Sequence, residues 1–386
     1  MPMITLPPLS LYVHLPWCVK KCPYCDFNSH ASKGDLPQAI YVDKLLQELD
    51  VHLPWIADRQ LISIFFGGGT PSLFSGEMIA RILNGVTQRI PLSPDIEITL
   101  EANPGTTEYE RFRDFRAAGI NRLSLGIQSL QNSKLQTLGR IHDRDQALRA
   151  ITFAQEAGLT NLNVDLMYGL PQQSIDDALE DLSTVLDLQP THLSWYQLTI
   201  EPNTLFHHQP PPLPAEDLIW DMQQAGQHLL QTAALPQYEV SAYATHQREC
   251  LHNLNYWQFG DYLGIGAGAH SKITTTNGVQ RFAQVKHPQA YLSLDKEKLR
   301  PSARLLTEAD LIFEFMLNAL RLTKGISTTI FMQRTGLARD CIQPMLAIAK
   351  KKGLLQEQED VDAEEHFCAS ALGQRFLNDL QSIFMG

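Results

Sequence analysis

Long apolar runs are absent from this sequence. The longest, at residues 61–66, falls far short of the ~20 residues that cross a bilayer, so no transmembrane helix is expected. The opening stretch MPMITLPPLSLYVHLPW has neither a basic n-region nor a small-residue cleavage site, which argues against a secretory leader. Clustered positive charge is equally scarce. The net charge is −11, and the basic run Lys350, Lys351 and Lys352 is followed by Gly353 in the manner of a helix end. Nucleic-acid binding, which relies on grouped Lys and Arg against phosphates, is therefore not expected. A disulfide framework is missing too. Of the six cysteines three share one motif, while Cys250, Cys341 and Cys368 lie far apart; this fits a reducing compartment and makes the cytoplasm the expected location.

What is present suits an ordinary globular chain: 386 residues, 44% hydrophobic and 19% charged, enough for one large domain and a small one. The feature that organises it is WCVKKCPYCDF, with Cys18, Cys22 and Cys25 at C-x3-C-x2-C spacing. Three thiols this close make a metal site. A structural zinc site wants a fourth ligand, usually in two pairs, and none follows at ribbon spacing. A redox dithiol of Cys22 and Cys25 would leave Cys18 without a role. An iron–sulfur cluster normally takes four thiolates, so three imply a cluster with one iron open to a ligand.

Along the chain, strand and helix patterns alternate. A short strand at residues 11–14 precedes the cysteines, and a helix is expected at 41–56. LISIFF at 61–66 reads as a strand buried on both faces, followed by GGGTP and a helix at 76–89. Further strands begin at Glu97, Arg122, Leu162 and His192, with helices at 109–118, between 133 and 158, and at 175–188. The spacing of roughly 30 residues per unit is that of βαβ repeats. Six such units predict a partial (β/α)6 barrel, with a doubly wound sheet as the alternative.

PPPLP at 210–214 marks a rigid connection, followed by a helix at 215–234 and a strand near 238–243. The Gly-, Tyr-, His- and Asn-rich stretch 250–270 has little periodicity and reads as an ordered functional loop. From Thr307 the pattern is helical, with short strands near Leu355 and Phe367, which predicts a small winged-helix-like cap used for packing or docking. The expected division is thus a barrel core at 1–205, a barrel extension at 206–300 and the cap at 301–386.

Functional groups of parallel α/β sheets gather at the C-terminal strand ends. The cysteines follow strand one, and Gly67, Gly68, Gly69, Thr70 and Pro71 follow strand two as a turn whose missing Cβ atoms allow close approach. Glu101, Gln128 and Asp165 lie at or near successive strand ends. Each taken alone reads as a helix cap or loop bond; together they suggest one polar ligand. Arg140 offers a fork to a carboxylate or, alternatively, an exposed ion pair. In HNLNYW, His252 is a possible axial ligand of heme iron or a structural histidine, Tyr256 and Trp257 suit a porphyrin face, and Cys250 is a competing soft ligand.

The cysteine spacing, with Tyr24 before the last thiol, resembles the radical S-adenosylmethionine (SAM) superfamily. YVHLPWCVKKCPYCDF, GGGTPS, EANPG, GIQS, LGRIH, DLMYGLP, HNLNYW and GDYLGIGAGAH together resemble the oxygen-independent coproporphyrinogen III oxidase-like family, in its HemW-type heme chaperone branch. The resemblance covers nearly the whole chain. It implies that Cys18, Cys22 and Cys25 ligate a 4Fe-4S cluster whose free iron takes the amino and carboxylate groups of SAM. It implies that Tyr12, Gly68, Gly69, Thr70, Glu101, Gln128, Arg140 and Asp165 hold SAM, with Tyr24 beside the adenine. The oxidase branch has a further, non-ligating cysteine where this chain has Phe27 in the same SAM-adjacent loop, and that departure speaks against decarboxylation. The function implied is a heme chaperone that passes heme as cargo to apo-cytochromes or respiratory heme enzymes, with homodimerisation and peripheral membrane docking left open. The alternatives are a coproporphyrinogen III decarboxylase and a radical SAM enzyme with an unrelated substrate.

Overall fold

The computed structural model describes residues 5–32, 34–56, 58–105, 108–359 and 365–385. Strand β1 (Leu9–Leu15) is buried along nearly its whole length, and β2 (Leu61–Gly68) is buried on both faces, as its unbroken apolar run requires. Four more parallel strands follow: β3 (Leu92–Ala102), β4 (Arg122–Gln128), β5 (Asn161–Tyr168) and β6 (His192–Gln197). The crossovers are α1 (Gln38–Ile56), α2 (Gly76–Thr87), α3 (Glu108–Ala118), α4 (Arg144–Glu156) and α5 (Ile175–Asp187). Their starts are written locally. Ser75 caps α2, while Asp143 with Gln146 and Ser174 with Asp177 form capping boxes on α4 and α5.

The core of the chain is thus the partial (β/α)6 barrel. The doubly wound alternative is not what forms. After α6 (Glu216–Thr232), the strand expected near 238–243 is two short antiparallel strands, β7 (Gln237–Glu239) and β8 (Ala242–Ala244), which extend the sheet beyond β6.

The stretch 250–270 is not a loop. It folds as helix α7 (Leu251–Trp257) and strand β9 (Asp261–Ile265), and β9 pairs in parallel with β1 on the side away from β2. Strands β10 (His270–Thr275), β11 (Gly278–Ala283) and β12 (Arg304–Leu305) continue antiparallel from β9. Among the described residues the main sheet therefore has twelve strands, in the order β12-β11-β10-β9-β1-β2-β3-β4-β5-β6-β8-β7.

The C-terminal part is mostly helical and winged-helix-like. Helices α8 (Glu308–Ala319), α9 (Thr328–Thr335) and α10 (Gln343–Lys351) pack with a three-stranded sheet formed by β13 (Ile326–Ser327), β14 (Leu355–Glu359) and β15 (Glu365–Ala369). Gly336, at φ 71, ends α9 in the left-handed conformation that favours glycine. Phe315, Phe331, Leu346 and Phe367 centre a second apolar core, which takes in Phe259 from the barrel side. Arg321 joins the two parts: it pairs with Glu239 of β7 at 2.8 Å and stacks over Trp257 at 4.4 Å.

A Cβ on Gly226 of α6 would lie 2.0 Å from the indole of Trp195, which is 2% exposed. Overpacking of this kind costs about 1–3 kcal/mol, and the rigid indole puts it near the upper end. That exceeds the ~1 kcal/mol which alanine gains over glycine in a helix. Gly226→Ala is expected to lower the urea midpoint of unfolding; an unchanged midpoint would show that the indole can move aside.

Candidate functional site

The three cysteines lie in the loop leaving β1. Trp17–Cys18 pairs in parallel with His30–Ala31 and closes the base of that loop. Cys18 is buried and Cys22 and Cys25 are half-buried. The Cys25 amide donates to the Cys22 carbonyl at 3.2 Å, and the Cys25 Sγ lies 3.8 Å from Ser29 Oγ. Burial pushes the Cys18 and Cys25 thiols up from their ordinary range.

Beside this loop passes the glycine turn that ends β2. Gly68 has φ +116, and a Cβ on it would lie 2.5 Å from the His14 ring; one on Gly69 would lie 2.4 Å from the Trp17 carbonyl. Both positions therefore require glycine. The amides of Gly69 and Thr70 donate to the carbonyls of Leu15 and Trp17 at 2.9 and 2.7 Å, fastening the turn to the cysteine loop.

The strand-end residues converge on the same place. Glu101 Oε2 accepts the Gly68 amide at 3.3 Å, and its carboxyl is pushed up to about 8 by burial and by the nearby Asp165. Burial also raises Asp165, although Asn163 and Ser124 donate to it at 2.7 and 3.2 Å. Gln128 sits in the left-handed region at φ 73, with its Oε1 accepting the Tyr196 hydroxyl at 2.6 Å. Strain of that sort persists only where surrounding contacts enforce it. Arg140 donates to Asn103 Oδ1 at 2.6 Å and to the Gly126 carbonyl, and its Nη1 lies 3.8 Å from Cys22 Sγ. It is not an exposed ion pair.

Cys18, Cys22, Cys25, Tyr24, Phe27, Gly68, Gly69, Thr70, Glu101, Gln128, Arg140 and Asp165 all line one cavity of about 470 Å³. Tyr12 does not. It lines a larger adjoining cleft of about 940 Å³, where its hydroxyl meets His14 Nδ1 at 3.0 Å. Phe27, 60% exposed, lies on the boundary and lines both spaces, as do Asp26, Gly68, Glu101 and Glu201. The larger cleft is walled by Tyr256, Trp257, Phe259 and Tyr262 and rimmed by Lys21, Arg281 and Lys286.

His252 and Cys250, the two candidate heme ligands, line neither cavity. His252 is 1% exposed, with Nδ1 held by Ser63 Oγ and Nε2 by the Tyr256 hydroxyl, both at 2.9 Å, and burial lowers its pKa to about 3. Both ring nitrogens are taken. Cys250 is fully buried against Glu97, and burial pushes its thiol up to about 12. Tyr256 and Trp257, one turn further along α7, do reach the larger cleft.

Three residues escaped the sequence reading. Asn103 bridges Thr70 and Arg140, at 3.0 and 2.6 Å, and the signal for it was the EANPG motif itself. Glu97 accepts the amides of Leu251 and His252 and so anchors α7, with Arg122 at 3.8 Å. His14 is locked between Tyr12 and the Asn28 carbonyl.

Among the described residues, no set of three His, Cys, Asp or Glu side chains closes around a common point. The three thiols form one wall of an open cavity instead. The donor set fits a thiolate-bound cluster: three sulfurs on one loop, an arginine and not a fourth ligand beside Cys22, and a glycine turn too crowded for any side chain. The Nε of Arg140 is buried without a partner, so the polar lining is incomplete by itself.

The fold and this site define a radical SAM framework. Residues 12–185 match the Radical SAM superfamily, and residues 306–376 match the HemN C-terminal domain. The chain is 49% identical over 385 residues to the Escherichia coli protein named heme chaperone HemW, covering 99% of this chain and 100% of that one. It is 48% identical to the Haemophilus influenzae protein of the same name, covering 99% of each. The structure of the E. coli coproporphyrinogen III oxidase HemN, described as a radical SAM enzyme, superposes with a TM-score of 0.81 at 25% identity, covering 98% of this chain and 90% of that one. The chain belongs to the HemW family within the radical SAM superfamily.

Glu101 yields a pH prediction for the protein without added cofactors. Its folded pKa of about 8 exceeds the ordinary value of 4.5, so its contribution is fully present below the unfolded value and is lost as pH rises through the folded one. Glu101→Gln is expected to melt higher than wild type at pH 8 and to converge with it near pH 4.5. A difference that does not vary with pH would contradict the assignment.

Proposed function

We propose that this protein is a heme chaperone, which takes up heme as cargo and passes it to apo-heme proteins such as cytochromes and respiratory enzymes. The carrying observation is the pair of adjoining cavities that meet at Phe27, one lined by thiols and polar strand ends, the other by aromatic faces and cations. The larger, at about 940 Å³, falls within the size class of sites for large flat cofactors. The two full-length relatives bear the name heme chaperone.

In this reading Cys18, Cys22 and Cys25 hold a 4Fe-4S cluster. SAM would be held by Gly68, Gly69, Thr70, Glu101, Gln128, Arg140 and Asp165, with Tyr24 beside them in the same cavity and Tyr12 in the adjoining cleft. The bound cluster supplies an open iron site and low-potential electron transfer. The chain's own contributions are separable. The glycine turn excludes side chains from the space beside the thiols, and Asn103 fixes the Arg140 fork. Glu101, whose carboxyl is pushed up to about 8 by burial and by Asp165, lines both cavities and bonds the Gly68 amide, so it offers the shared wall a carboxyl that a cationic ligand would favour in its ionised form. Phe27, in place of a thiol, gives the boundary an apolar, unreactive face.

The likeness to the oxidase structure supports decarboxylation as the second reading. A hemin titration separates the two. The chaperone reading expects a Soret shift with near-stoichiometric retention through gel filtration, and no vinyl product from anaerobic incubation with SAM, reductant and coproporphyrinogen III. Absence of hemin retention, or turnover to the vinyl product, would reverse the order.

The ligand assignment has its own test. After anaerobic reconstitution, Cys22→Ser is expected to lose most of the protein-bound iron and sulfide, whereas Cys250→Ser, whose thiol faces Glu97 away from both cavities, retains them. Equal iron content in the two variants would refute it.

A further inference from the structure

Among the histidines that line the larger cleft, His14 is spent. Its two ring nitrogens face the Tyr12 hydroxyl at 3.0 Å and the Asn28 carbonyl at 2.9 Å. His270 is different. It is the first residue of β10, exposed, lines the same cleft, and its imidazole makes no hydrogen bond, ion pair or ring contact among the described residues. Partial burial, with the Arg281 and Lys286 cations nearby, lowers its pKa and favours the neutral ring that metal coordination needs.

We infer that His270 supplies an axial nitrogen to the iron of heme held in the larger cleft, with the Lys21 and Lys286 ammonium groups on the rim available to the propionates. The inference rests on the chaperone reading above and names the ligand within that same site.

The position of His270 is built, not incidental. The turn between β9 and β10 places Gly266 at φ +104 and Gly268 at φ +81, and a Cβ on Gly268 would lie 2.2 Å from Asn28 Nδ2. Asn28 Nδ2 donates to the carbonyls of Ala267 and Lys286, both at 2.9 Å, so one amide ties down the turn before His270 and the backbone of Lys286. Behind the turn, buried Glu48 accepts the Gly266 amide at 2.7 Å, and Tyr41 accepts that of Ala267 at 2.9 Å. A rigid turn thus presents an unbonded imidazole to a space walled by Tyr256, Trp257 and Tyr262. An iron porphyrin needs a nitrogen donor, apolar aromatic neighbours and cations for its carboxylates, and the cleft is lined by residues of all three kinds.

The experiment is a hemin titration of full-length wild type, His270→Ala and His270→Gln, read by absorption spectroscopy. Loss of a mere outer-shell partner typically weakens a metal site 10–100-fold, so removing the ligand itself is expected to raise the hemin Kd at least about tenfold. The histidine-ligated visible bands are expected to vanish in both variants, and added imidazole to restore them in His270→Ala. Because His270 is exposed, both variants are expected to keep wild-type iron–sulfur content and melting temperature, which separates lost ligation from lost folding. Variants that bind hemin with wild-type affinity and spectrum overturn the ligand assignment while leaving the chaperone reading intact. A wild-type protein that takes up no hemin overturns both.

Discussion

How closely the end of β2 passes the end of β1 decides what the rest of the molecule can do. Parallel strands sit side by side, and the C-terminal edge ordinarily leaves room between successive loops. Here the amides of Gly69 and Thr70 bond back to Leu15 and Trp17, and no Cβ fits at Gly68 or Gly69. The cysteine loop and the glycine turn are consequently one wall. Glu101, reaching from β3 to the Gly68 amide, continues it, and Asn103 extends it to Arg140 and so to Cys22. A chain of contacts thus runs from β1 through the strand ends and back to the thiols, and each link depends on the first approach being tight.

A second constraint lies on the opposite side of β1. Strand β9 must join the sheet from late in the chain, and it brings buried charge with it. Asp261 is fully buried, yet Arg59 and Lys272 reach it at 2.8 and 3.1 Å, and Thr274 donates to it from both its amide and its hydroxyl. Glu48 does the same for the following turn, accepting from Gly266, Gln284 and Tyr291. Buried charges of this kind add little net stability, but removing one partner leaves the other uncompensated and is strongly destabilising. They act as register pins. With Asp261 at one end and Glu48 at the other, β9 has one position in which its polar groups are satisfied, and that position puts the β9–β10 turn over Asn28.

These two constraints explain which parts were legible beforehand. The barrel stood out because strand and helix patterns alternate at about 30 residues per unit, with the run at 61–66 continuous enough to be buried on both faces. Cys18, Cys22 and Cys25 were recognisable by spacing, Gly68, Gly69, Glu101, Gln128 and Asp165 by their positions at or near strand ends, and Arg140 by the LGRIH motif, and one cavity gathers them. Strand β9 was not legible, because DYLGI is short, begins with a buried aspartate and is stabilised by residues as distant as Arg59. The surroundings of His252 were not legible for a related reason. The spacing of HNLNYW shows a histidine among aromatics, but only the fold shows that Ser63, on β2, takes one ring nitrogen and Tyr256 the other.

Asn28 is where the two halves of the site become one system. It stands next to Phe27 in the cysteine loop; its carbonyl holds His14, its amide nitrogen holds Ala267 and Lys286, and its amide oxygen meets His30 at 3.2 Å. Any rearrangement of the loop that moves Asn28 therefore acts on the floor and the rim of the larger cleft, about which the thiols themselves have no direct say. Coupling between two binding sites is a free energy and is reciprocal. An occupant of the smaller cavity that favours one placement of Asn28 must be favoured in equal measure by whatever occupies the larger cleft in that placement. Asn28 is thus the contact through which the cysteine loop is tied to the floor and the rim of the larger cleft.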